Sequence, residues 1–131
     1  MIVDDSPDDI LLLRHRLKTS QFEGPILSYD DSSLALAFLR ELTENPEASF
    51  YRPGLMFLDL QMPKVHGFVF LKWVRSQSWL DDTKLVVLSG SDKPEDRERS
   101  IKLGADHYLV KMPPAETFAQ LLAECYGEPA A

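Results

Sequence analysis

Short apolar runs alternate with helix-like patterns along the whole chain. Met1 to Val3 is the first run, and it ends in acid at Asp4-Asp5. Ser6-Pro7-Asp8-Asp9 then reads as a helix start. Serine can cap, proline suits the first helical position, and acids favour the positive helix end. Ile10, Leu13 and Leu17 give that helix an apolar stripe. Gly24-Pro25 breaks the chain, and Pro25 to Tyr29 is predicted as a second strand. Asp31-Ser32 can cap a second helix carrying Leu34, Leu36, Phe38, Leu39 and Leu42. A long polar loop, 44–54, leads into Leu55-Met56-Phe57-Leu58, an unbroken apolar run of the kind found in a strand buried on both faces. Past Met62-Pro63 and Gly67 comes a helix with Phe68, Phe70, Leu71, Trp73 and Val74. Leu85 to Leu88 is predicted as a fourth strand. Ser91 or Asp92 opens a fourth helix that ends near Leu103-Gly104, where glycine suits the left-handed residue that stops a helix. His107 to Val110 is the fifth strand and Ala115 to Tyr126 the last helix.

Strand then helix, repeated in this way, implies an α/β fold: a doubly wound parallel sheet with helices on both faces and right-handed crossovers. Residues 1–126 are expected to form one domain and 127–131 a short tail. In open sheets of this kind, ligands sit beyond the carboxyl ends of the strands. Those ends are therefore the place to look for chemistry. The first strand delivers Asp4 and Asp5, the third Asp59, the fourth Ser89 and the fifth Lys111. Any one of them alone is more simply a helix cap or a solvated charge. All of them on one edge of one sheet are harder to explain that way.

Three clustered carboxylates repel each other and raise at least one pKa. A hard divalent cation relieves that repulsion, and oxygen-only ligands suit Mg²⁺. The cation and Lys111 together would balance the three acids, so an incoming phosphoryl group would no longer be repelled. Asp59 could then act as a nucleophile and form an aspartyl phosphate. Lys111 would stabilise charge on the transferring oxygens, and Ser89 could hydrogen-bond one of them. Gly90 beside Ser89 leaves space for the donor.

Composition narrows the partners. Apolar residues make up 44% of the 131 and charged residues 27%, enough for a packed core. The net charge of −7 argues against nucleic acid or an anionic membrane as a direct partner, since both need a positive footprint. The single cysteine, Cys125, permits no internal disulfide and fits a reducing cytoplasm. Neither a signal peptide nor a membrane-length apolar run is evident, so a cytoplasmic location is expected. His15, between Arg14 and Arg16, is expected to face solvent, and Trp73 and Trp79 to pack in core and loop. The run from Glu95 to Arg99 is of mixed sign, as on an exposed helix face.

The strand-end residues also carry a resemblance. Val3-Asp4-Asp5, Leu58-Asp59-Leu60-Gln61-Met62-Pro63, Gly67, Leu88-Ser89-Gly90 and Tyr108-Leu109-Val110-Lys111 are similar to the motifs of response regulator receiver domains, in the right order over nearly the whole chain. The resemblance implies a flavodoxin-like sheet of strand order 2-1-3-4-5. It implies that Asp59 is the phospho-acceptor and that Asp5 ligates Mg²⁺ directly, with Asp4 acting through water. The backbone carbonyl of Gln61 matches the third protein ligand and Lys111 the lysine that pairs with Asp59. Ser89 and Tyr108 match the switch pair, in which the aromatic moves inward when the hydroxyl does. Implied partners are a histidine kinase or histidine phosphotransfer protein and a downstream protein target. A homodimer through the face of the fourth helix, fifth strand and last helix is also in keeping with the family. If the chain is complete, it is expected to be a stand-alone regulator or phosphorelay intermediate, catalysing only its own phosphorylation and dephosphorylation.

Three positions depart from the family pattern. Met112 stands where proline usually follows the lysine, and a non-proline residue disfavours a cis bond there, so a differently shaped lysine loop is expected. His66 stands where an acid often precedes the glycine, which should alter only a helix cap. The loop 44–54 looks long and is expected to be solvated. A haloacid-dehalogenase-type phosphohydrolase is the rival reading, but its second acid would fall at Gln61, which cannot act as a general acid. A binding module of the same fold is another: a flavin carrier, which should purify yellow, or a degenerate receiver, which should lack the acidic pair, the acceptor or the lysine, none of which is missing.

Overall fold

The computed structural model describes residues 1–45 and 47–127. Five strands and five helices alternate: β1 (Ile2–Val3), α1 (Pro7–Thr19), β2 (Ser28–Tyr29), α2 (Ser32–Thr43), β3 (Leu55–Leu58), α3 (Gly67–Arg75), β4 (Lys84–Ser89), α4 (Pro94–Lys102), β5 (His107–Val110) and α5 (Ala115–Tyr126). One-turn 3-10 helices at Ala48–Tyr51 and Ser78–Leu80 punctuate the connections. The sheet runs β2-β1-β3-β4-β5 with every pair parallel, the expected order. Of the expected tail 127–131, only Gly127 lies within the described residues.

The unbroken apolar strands follow from this layering. Successive strand side chains point to opposite faces. In β3 and β4, Met56, Leu58, Leu85 and Val87 enter one core with α2 and α3, while Leu55, Phe57, Val86 and Leu88 enter a second with α1 and α5. Ile10, Leu13 and Leu17 bury the predicted stripe of α1. On α2 the buried set is Ser32, Ala35, Leu36 and Leu39, and Leu34 faces solvent.

Several boundaries differ from the sequence pattern. Only Ser28–Tyr29 of the segment 25–29 is strand, because β1 offers just Ile2 and Val3 to pair with it and Pro25 has no N–H to give a ladder. β4 extends one residue at each end beyond 85–88. α4 opens at Pro94 rather than at Ser91 or Asp92. The Ser91 hydroxyl is instead engaged by Asp96 and by the N–H of Lys93, and Pro94 suits the first helical position. Apart from these boundaries, the Lys111–Met112 peptide is cis, contrary to the expectation for a bond not followed by proline. On either side of it, the Lys111 N–H is bonded to Ser89 and Met112 packs on the α1–α5 core. His66 does serve as the cap of α3, its Nδ1 accepting from the Phe68 N–H at 3.1 Å.

Candidate phosphoryl-acceptor site

Hydrogen bonds between strands bring the predicted residues to one edge. The Asp59 N–H donates to Val3 O at 3.0 Å, which sets Asp59 beside the Asp4-Asp5 pair. The Lys111 N–H donates to Ser89 O at 2.9 Å, which joins the ends of β4 and β5. Asp4 and Asp59 are buried and Asp5 is exposed, and one carboxylate oxygen from each lies within 4.8 Å of the others. Lys111 Nζ sits 2.8 Å from Asp4 Oδ2, 2.9 Å from Asp9 Oδ2 and 3.7 Å from Asp59 Oδ1.

The electrostatics follow from burial. Asp59 is pushed up to about 6, first by burial and then by the charges of Asp4 and Asp5, against the pull of Lys111. Burial also raises Asp4, although bonds from Lys111 and Ser6 oppose it. For Lys111, burial works against the charge, but the bonds to Asp4 and Asp9 and the charge of Asp59 outweigh it and raise the pKa. The donor set fits a hard divalent cation: three carboxylates, no thiol or imidazole, and one member open to solvent.

The remaining predicted residues surround this cluster. Ser89 is fully buried, and its Oγ accepts from the Ser91 N–H at 3.2 Å. Open space lies beside Gly90. Gln61 is exposed in the loop that leaves Asp59. Tyr108 is buried, and its hydroxyl donates to Ser91 O at 2.6 Å rather than joining the acids. Sequence reasoning missed Asp9, which it assigned only to the helix end. An acid in the first turn of the helix that leaves Asp4-Asp5 was the signal that could have found it.

The model of the response regulator receiver domain matches residues 1–123. The chain belongs to the response regulator receiver family. Response regulator Rcp1 of Synechocystis sp. is 32% identical over 111 residues, 85% of this chain and 74% of that protein. The transcriptional regulatory protein PrrA of Mycobacterium tuberculosis is 33% identical over 111 residues. The match spans only 42% of PrrA, and 53% of the rice two-component response regulator ORR1, so the receiver corresponds to about half of those relatives. Among solved structures, the Mn²⁺-bound form of Rcp1 superposes with a TM-score of 0.78 at 28% identity, covering 98% of this chain and 96% of that one. The phosphorylated cyanobacterial phytochrome response regulator RcpA gives 0.74 at 30% identity, covering 94% and 86%. The receiver is thus a regulatory signalling module. Among the described residues no helix is long and apolar enough to cross a membrane.

Proposed function

We propose that this receiver is a phosphorylation switch whose acceptor is Asp59. The observation that carries the reading is the convergence of Asp4, Asp5 and Asp59 around one point with Lys111 at their side. Asp5, Asp59 and the Gln61 backbone carbonyl would hold Mg²⁺, with Asp4 acting through water. When bound, the ion would cancel the repulsion among the carboxylates and draw charge from the transferring oxygens. An Asp59 carboxylate oxygen attacks phosphorus, an O–P bond forms, and the bond to the donor's leaving group breaks. Lys111 and the Ser89 hydroxyl take up charge on the phosphoryl oxygens. Hydrolysis by water later returns the carboxylate and inorganic phosphate, and in this reading the chain catalyses only its own phosphorylation and dephosphorylation.

The switch would run from Ser89 to Tyr108 and α4. α4 buries only Ser100, so few contacts resist its movement. Its hold on the domain includes the stacking of Arg97 over Tyr108 and of Arg99 over Phe68. The donor in this reading is a cytoplasmic histidine kinase or histidine phosphotransfer protein. The output is a changed protein-binding surface on α4, β5 and α5, which is also where a second copy would pair. The solved relatives support the scheme: Rcp1 with Mn²⁺ and RcpA in phosphorylated form.

The direct test is incubation with acetyl phosphate and Mg²⁺, followed by intact-mass measurement. The wild type should gain one phosphoryl group, and Asp59→Asn should gain none. An equal gain in both proteins would refute the assignment of the acceptor.

A further inference from the structure

We propose that Asp9 is a positioning residue of the acceptor site, holding the Lys111 ammonium in place independently of the acids that bind the cation. The proposal rests on the phosphoryl-acceptor reading above.

The local sequence frees this carboxylate for the task. Asp9 lies in the first turn of α1, and its N–H donates to the Ser6 cap at 3.3 Å. An acid at that position commonly turns back to the N–H of the capping residue. Here that N–H is already bonded to Asp4 Oδ1 at 2.9 Å. The Asp9 side chain reaches Lys111 Nζ instead, at 2.9 Å.

An ammonium has three N–H bonds to give. Two point to acceptors at hydrogen-bond distance, Asp4 at 2.8 Å and Asp9 at 2.9 Å, while Asp59 stands off at 3.7 Å. Asp4 and Asp59 belong to the three-acid group and Asp9 does not. A divalent cation drawn to that group shares the charge of Asp4 and Asp59 and repels the ammonium. Asp9 is the acceptor whose charge stays with Lys111. It therefore keeps the ammonium at the pocket and leaves one N–H for an oxygen of the arriving phosphoryl group. The Asp9 side chain is 34% exposed, so solvent screens the pair and the effect on rate is moderate.

The test measures phosphorylation of the full chain by acetyl phosphate with saturating Mg²⁺ over a range of donor concentrations. Asp9→Asn should lower the saturating rate by roughly 3- to 10-fold while leaving the half-saturating donor concentration nearly unchanged. Asp9→Glu should recover part of the rate. Mg²⁺ affinity by calorimetry should be the same in all three proteins. An unchanged or higher rate in Asp9→Asn overturns the proposal, and so does a loss that follows weaker Mg²⁺ binding. A wild type that accepts no phosphoryl group refutes the acceptor reading instead. The role of Asp9 is then decided by the ¹⁵N-detected ammonium of Lys111. Its proton exchange should speed up several-fold in Asp9→Asn, and unchanged exchange sinks the assignment.

Discussion

At Asp59, burial and charge oppose the ionised form that the proposed chemistry needs. The carboxyl is raised to about 6 from an ordinary 3.8, by burial first and by Asp4 and Asp5 next. Between those two values the folded chain keeps a proton that the unfolded chain has released. Its contribution to stability is therefore complete below about pH 3.8 and is lost as pH rises through 6. Without added cation, Asp59→Asn should be more stable than wild type at pH 7 by roughly 1–3 kcal/mol. Urea melts should show that gap closing at pH 4, and a gap of equal size at both pH values contradicts this origin. Gly67 is the second residue on which the loop after Asp59 depends. A Cβ there would stand 2.5 Å from Asp59 O and from Leu60 Cα, both backbone atoms that cannot swing aside. Gly67→Ala should cost roughly 1–3 kcal/mol in a thermal melt and slow phosphorylation by displacing Asp59. The acids and the lysine were legible in sequence because each ends a strand. The second partner of Lys111 was not, since Asp9 also satisfied every rule for a helix N-terminus.

Among the elements, the apolar strands were the most legible, because β3 and β4 are buried on both faces and their sequence reads as unbroken hydrophobic runs. Boundaries were less so. The starts of β2 and α4 depend on what β1 can pair with and on where the Ser91 hydroxyl is engaged, and both are tertiary facts. A third tertiary fact had no sequence signal. Arg75, the last residue of α3, donates to Gly104 O at 2.8 Å, Leu80 O at 3.2 Å, Thr83 O at 3.0 Å and Asp106 Oδ2 at 2.9 Å. Asp106 Oδ2 in turn accepts from the Leu85 N–H at 2.8 Å. One guanidinium thus joins the end of α3 to the segments that open β4 and β5, and its partners lie far apart in the chain. Arg75→Ala would strand these acceptors in a half-buried setting and should cost roughly 2–4 kcal/mol by chemical denaturation. Arg75→Lys should recover little, because an ammonium cannot span the fork of a guanidinium. Full stability in Arg75→Lys would mean that charge alone, and not the fork, holds these elements.

For the molecule as a whole, the acidic edge is a local fault in an otherwise well-packed fold. Two apolar cores flank the sheet, and the cost of bringing Asp4, Asp5 and Asp59 together is borne at the carboxyl ends of its strands. The fold tolerates that cost because Lys111 offsets part of it, and a divalent cation would offset more. Such a cation should recognise the folded chain almost exclusively. Asp4-Asp5 and Asp59 are remote in sequence and meet only when β1 and β3 pair. Binding to the native state alone raises stability by mass action, by about 2.7 kcal/mol at a hundred times the dissociation constant. Mg²⁺ should therefore lift the melting temperature by several degrees, and a chelator should reverse the shift. Simple ionic strength would also screen the carboxylates, so the control is NaCl at matched ionic strength, which should give a smaller and less saturable rise. Asp5 is the member of the cluster whose removal least disturbs the fold, since it is exposed. Asp5→Asn should keep the cation-free melting temperature close to that of wild type and lose most of the Mg²⁺ shift. An equal Mg²⁺ shift in that variant would place the cation somewhere other than this strand edge.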